Sequence, residues 1–147
     1  VIYTQQHQIT DYIENPNWQL SKLQEMIDSC KAGKQARAIE NEETFDEQKF
    51  NAWLADALWQ QMNKDVQNYI YSKYDQGTQA SLQALHSDPS SSIELKQAIE
   101  SMWAWIRSVM QYYYQRKAEI LSGQVVKWDF TQFDSTDPEI SLSALMG

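Results

Sequence analysis

The chain has 147 residues, the length of one ordinary domain and enough for a real hydrophobic core. Twelve basic residues stand against 20 acidic, a net charge of −8, which disfavours nucleic acid as a partner because phosphate affinity rests on clustered Lys and Arg. One cysteine, Cys30, excludes an internal disulfide and a cysteine-based zinc site, and no run approaches the ~20 apolar residues of a membrane helix. With 6 Trp and 8 Tyr the chain is too aromatic to stay disordered, and 4 Gly with 3 Pro are too few for an all-β fold of many tight turns. No signal peptide is expected, since Val1–Thr10 lacks an apolar core.

The first 14 residues admit two readings. Val1, Ile2 and Tyr3 suit a strand or docking arm, while Ile9, Tyr12 and Ile13 sit at helical spacing. After Asn15-Pro16, the residues Leu20, Leu23, Ile27 and Cys30 form one apolar stripe, predicting a helix that stops at Gly33. Lys31 to Asn41 reads as a polar linker, basic through Lys31, Lys34 and Arg37 and then acidic. That order matches helix-dipole logic better than a binding patch.

Thr44 followed by Glu47 matches a capping box. Phe50, Trp53, Leu54, Ala57, Leu58, Met62, Val66, Tyr69 and Ile70 then predict a long helix from about 45 to 72. Asp75-Gln76-Gly77 breaks it, and a short helix is expected from Thr78 to Leu85. Ser91 followed by Glu94 is a second capping box. Ile99, Ile106, Tyr113 and Ile120, spaced by seven, predict a last long helix ending at Gly123. Gln124 to Phe130 reads as extended. Between 129 and 139 lie four acids, Asp129, Asp134, Asp137 and Glu139, and no base. Pro138 starts a last short turn carrying Leu142, Leu145 and Met146. The expected fold is mainly α, a three- or four-helix bundle with one or two long helices and short extended arms at both ends. The helical domain covers 1–123, and 124–147 form an acidic, aromatic docking arm.

Little in the pattern speaks for catalysis, and neither catalytic nor metal-ligating residues are assigned. His7 and His86 have no histidine partner four residues away, as a helical metal pair requires. Cys30 sits on an apolar stripe, where free cysteines are inert. Asp56 and Asp65 do not share a helix face, nor do Glu94 and Glu100 form a pair. No phosphate-cradling glycine loop is present, and no cofactor is implied.

Aromatic placement is more informative. Each helical residue turns by about 100°, so Trp103 and Trp105 lie about 200° apart and cannot face one core. Tyr112, Tyr113 and Tyr114 fan out as widely, and Trp59 points away from Trp53. A second ring-rich surface is the composition of a protein interface. The candidate interface residues are therefore Trp59, Trp105, Tyr112 and Tyr114, with Trp128, Phe130 and Phe133 on the arm. Whether those arm rings dock on their own bundle, beside Ile2-Tyr3, or on a neighbouring subunit is open at this level.

Tyr74-Asp75-x-x-Thr78-Gln79-Ala80-Ser81-Leu82-x-Ala84-Leu85 precedes a helix with Ile99, Trp103, Trp105-Ile106 and Tyr112-Tyr113-Tyr114-x-Arg116-Lys117. Over about residues 64–123 this resembles a helical segment of bacteriophage tail proteins of the tail-fibre and fibre-assembly kind. The resemblance implies a non-enzymatic structural part of a tail, baseplate or fibre attachment, located in the virion. Its partners would be other tail proteins or copies of itself as a homo-oligomer, with neither nucleic acid nor membrane. Two other roles are expected alternatives. One is a tail-fibre assembly chaperone in the host cytoplasm. The other is a small-ligand-binding bundle whose pocket is lined by Trp53, Tyr69 and Trp103.

Overall fold

The computed structural model describes residues 4–141. The chain is mainly α, with five α-helices and one 3-10 helix and no strand among the described residues. The helices are α1 (Gln5–Glu14), α2 (Leu20–Glu40), α3 (Glu47–Lys73), α4 (Gln76–Ser87) and α5 (Ile93–Leu121), followed by the 3-10 helix Phe130–Thr136. Residues 1–3 and 142–147, which include the Ile2-Tyr3 arm and the Leu142–Met146 turn, lie outside the described part.

Local signals set most helix ends. Thr4 and His7 make a reciprocal capping box at the start of α1, so the ambiguous N-terminus is helical from Gln5. The caps of α3 and α5 fall slightly downstream of the expected residues. Asp46, not Thr44, accepts the Lys49 N–H at 3.0 Å, and Ser92, not Ser91, accepts the Leu95 N–H at 3.1 Å. Asp75 caps α4 by accepting the Thr78 N–H at 2.7 Å.

The largest departure is α2, which runs through Gly33 to Glu40 and absorbs the expected linker. A glycine stops a helix by adopting a left-handed φ, and Gly33 does not. The residues after it, Lys34-Gln35-Ala36-Arg37-Ala38, are strong helix formers and carry the helix on. The true end is a Schellman motif. Glu43 N–H donates to Ala38 O at 2.8 Å and Glu42 N–H to Ile39 O at 3.2 Å, with Glu42 at φ 53°. The end of α5 repeats it with the expected residue. Gln124 N–H donates to Glu119 O and Gly123 N–H to Ile120 O, with Gly123 at φ 101°.

The chain divides into two compact units, Val1–Met62 with Arg116–Trp128 and Asn63–Gln115 with Asp129–Gly147. The division therefore does not fall at residue 123, because α3 and α5 each give part of their length to both units. In the first unit Ile9, Ile13, Leu23, Ile27, Leu58 and Met62 are fully buried. Trp128 meets Trp18 edge-on, centroids 5.4 Å apart, and Lys127 lies 4.0 Å over the Trp18 ring while donating to Pro16 O. In the second unit Val66, Tyr74, Leu82, Ile99, Met102 and Val109 form the core.

Candidate functional site

The first unit carries a cleft of about 520 Å3. That volume lies within the range of sites that enclose a drug-sized ligand. Two further clefts on the same unit have half that volume or less, about 260 and 240 Å3. The large cleft is built where α2 gives way to α3. Gln6 of α1 and the last turns of α2 supply one wall, and the Asn41–Thr44 connection and the first turns of α3 supply the other. Phe45, Phe50 and Trp53 form a row of rings along it, with centroids 6.1 Å and then 5.6 Å apart. Phe50 is 4% exposed and anchors the row, while Phe45 and Trp53 remain half-buried.

Three cations, Lys34, Arg37 and Lys49, line the same cleft, and none has an ion-pair partner among the described residues. Lys31, one turn back along α2, is engaged. It bridges Glu47 at 3.5 Å and sits 5.6 Å above the Phe50 ring. Glu43 and Asp46 bring negative charge into the lining, although Asp46 already accepts the Lys49 backbone N–H. The charge of Lys34 and Arg37 reaches Cys30, whose thiol is nonetheless pushed up because burial outweighs the pull of the two cations. Protonated and 1% exposed, Cys30 is a core residue rather than a nucleophile.

Compared with known proteins, the chain matches no family model, no curated protein and no solved structure.

The expected interface rings take different places. Trp105 is 4% exposed, Trp128 4% and Phe130 5%, all covered by residues of their own unit. Trp128 packs edge-on against Trp18, Phe130 lies against Tyr69 and Tyr112, and Trp105 lies against Tyr69 and Tyr74, so none of the three rings is open to a partner. The segment after Asp129 folds back and supplies the second layer that the periodicity of α5 left vacant. Trp105 Nε1 donates to Phe133 O at 2.9 Å, and the Tyr112 hydroxyl accepts the Asp129 N–H at 3.2 Å. Tyr69 stacks on Phe130, and Phe133 meets Tyr112 edge-on at 5.6 Å. Tyr69 donates to Asp134, Tyr74 donates to Asp137, and Lys73 lies 3.4 Å from Asp134. Burial and the Asp137 hydrogen bond push the Tyr74 phenol up to about 12, and Tyr69 moves the same way for the same reasons. Asp134 moves oppositely, held below its usual range by the Tyr69 hydroxyl and by Lys73.

Trp59, Tyr112 and Phe133 are half-buried. Lys117 covers the Trp59 ring at 4.4 Å, while Trp59 Nε1 is buried with no acceptor. Tyr114, 59% exposed and edge-on to Tyr113, is the one fully open ring of the expected set. The three residues expected to line a ligand pocket, Trp53, Tyr69 and Trp103, are each described within their own unit. Trp53 belongs to the first unit, Tyr69 packs on Trp105, and Trp103 lies 4.6 Å from the His86 ring. His86 is 3.3 Å from Glu100, and His7 serves in the α1 cap. No group of three or more His, Cys, Asp or Glu side chains that could hold a metal occurs among the described residues. No helix among them is long and apolar enough to cross a membrane.

Sequence reading missed Lys34, Arg37 and Lys49 as a group. The available signal was the step of three from Lys31 to Lys34 to Arg37, which keeps all three on adjacent turns once α2 continues past Gly33.

Proposed function

We propose that the chain is a non-enzymatic interaction module that works through contacts with other proteins, and that its primary contact is the cleft where α2 meets α3. The observation that carries this is the set of side chains in that cleft: an unpaired Arg37 with Lys34 and Lys49 beside the half-buried Trp53 and Phe45. Tryptophan and arginine are the residues on which protein interfaces concentrate their binding energy, and here the exposed Arg37 and half-buried Trp53 line one concavity. Open Tyr114 adds a second contact of the same kind.

Joined to the resemblance over residues 64–123, this reading makes the chain a structural component of a bacteriophage tail, baseplate or fibre attachment, carried in the virion. Fixed stoichiometry in purified tails, measured by quantitative mass spectrometry, is the expected outcome. Presence only in infected cytoplasm assigns the chaperone role instead. A strictly monomeric chain by size-exclusion and light scattering that binds no tail component refutes both. The volume of the cleft also suits a small ligand, which would raise the melting temperature in proportion to the logarithm of its concentration.

A further inference from the structure

We infer that the cleft where α2 meets α3 receives an acidic peptide segment of a partner protein, its carboxylates on Lys34, Arg37 and Lys49 and one aromatic or branched side chain on the Phe45–Phe50–Trp53 row. This deepens the interaction reading and rests on it only in taking the ligand to be a protein.

Charge gives the first argument. The chain holds 20 acidic residues against 12 basic, yet cations such as Lys22, Lys64, Arg107 and Lys117 also stand outside any ion pair among the described residues, so what sets the cleft apart is that three such cations share one lining. Lys31, Lys73 and Arg116 each have a carboxylate within 3.5 Å. The three cations of the cleft have none, and they converge from two helices on one concavity. Helix dipoles account for only part of the arrangement. Arg37 stands in the last turn of α2, where a cation is favoured. Lys49 stands in the first turn of α3, where the dipole opposes a cation and so does not account for its place in the cleft.

The rest of the lining chooses between anions. A polyphosphate or a nucleic-acid strand brings dense negative charge and few donors, and it would meet Glu43 and Asp46 in the same cleft. A peptide brings carboxylates for the cations together with backbone N–H groups for Glu43, Asn41 and Thr44. The ring row adds an apolar seat beside the charges, the pairing that an acidic segment with one anchoring side chain requires. The concave form and a volume of about 520 Å3 suit a short extended stretch rather than a flat folded face.

The test uses the full chain and a fluorescein-labelled, end-blocked pentapeptide of four glutamates around a central phenylalanine, read by fluorescence anisotropy. Saturable binding is expected, weakening at least tenfold between 50 and 500 mM salt and absent for the matching lysine peptide. Lys49→Glu is the decisive variant, because it places an anion at a helix N-terminus and so preserves the fold while reversing the cleft charge. It should lower affinity at least tenfold at an unchanged or higher melting temperature, and Arg37→Gln should act in the same direction. Equal binding by wild type and Lys49→Glu moves the peptide elsewhere and overturns the assignment. Tighter, competing binding by ATP overturns the choice of peptide over nucleotide. Failure of the peptide to bind a chain that still associates with purified tails rejects this site chemistry while the interaction role stands.

Discussion

Replacing Glu42 with glycine should stabilise the protein, although the residue touches nothing in the core. Glu42 occupies the left-handed position of the Schellman motif that ends α2, at φ 53°. Its N–H and that of Glu43 satisfy the carbonyls of Ile39 and Ala38, so the geometry is required and the side chain is incidental. An L-residue in that region costs about 1–2 kcal/mol. Glycine removes that strain but surrenders about 0.5–1 kcal/mol through the greater freedom of the unfolded chain. The net gain is about 0.5–1 kcal/mol, a rise in melting temperature of roughly 2–4 °C for a chain of this size. Gly123, at φ 101° in the equivalent motif of α5, provides the mirror experiment. A Cβ there meets nothing within 4 Å, so the loss on Gly123→Ala is conformational alone, the same strain less the same chain entropy, about 0.5–1 kcal/mol net. Glu42→Gln removes the charge and keeps the strain, which separates the two causes. Thermal melts followed by circular dichroism, with urea midpoints as a second measure, decide the matter. If Glu42→Gly is no more stable than Glu42→Gln, backbone strain is not what the position stores, and the reasoning fails.

Three further outcomes follow from the same structure. Gly33→Ala should stabilise by about 0.5–1 kcal/mol, because Gly33 is helical and a new methyl need only displace the flexible end of Gln5, 2.9 Å from its Cβ position; a urea titration measures it. Trp105→Ala should destabilise by about 3–5 kcal/mol, and Trp105→Phe by about 1–2 kcal/mol through the hydrogen bond lost to Phe133 O. Both variants should speed chymotryptic cleavage near Phe130 and Phe133. The clasp of the acidic segment should also respond to pH at both extremes. The raised phenols of Tyr69 and Tyr74 contribute stability fully below pH 10, lost as pH rises through the folded value of about 12 for Tyr74. The depressed Asp134 contributes stability above the ordinary carboxyl range, lost as pH falls through its lowered value. Tyrosinate absorbance near 295 nm should show a late-titrating fraction, and Tyr69→Phe should shrink it. A single titration at the ordinary tyrosine value would count against the clasp.

The helices of this protein are written in short-range pattern. Phe50 through Ile70 and Ile99 through Ile120 carry apolar spacing that only a helix satisfies, and Asp75 and Gly123 mark boundaries by their own chemistry. What lies beyond one helix was less legible. Gly33 resembles a stop until the strength of the helix formers after it is weighed, and Lys34 and Arg37 join Lys49 in one cleft only because α2 continues past it. The rings of α5 show why a count of faces cannot assign an interface. Trp103 and Trp105 do point apart, as their spacing demands, yet the direction Trp105 takes is filled by Tyr69, Tyr74 and Phe133. Periodicity is a property of neighbours along the chain, so the sequence alone determined which segments are helical and which faces are apolar. The covering of each face depends on contacts between residues far apart in the chain, such as Tyr69 with Asp134 and Trp18 with Trp128. Only the tertiary structure decided those, because they form where total burial is best satisfied rather than where any local signal directs.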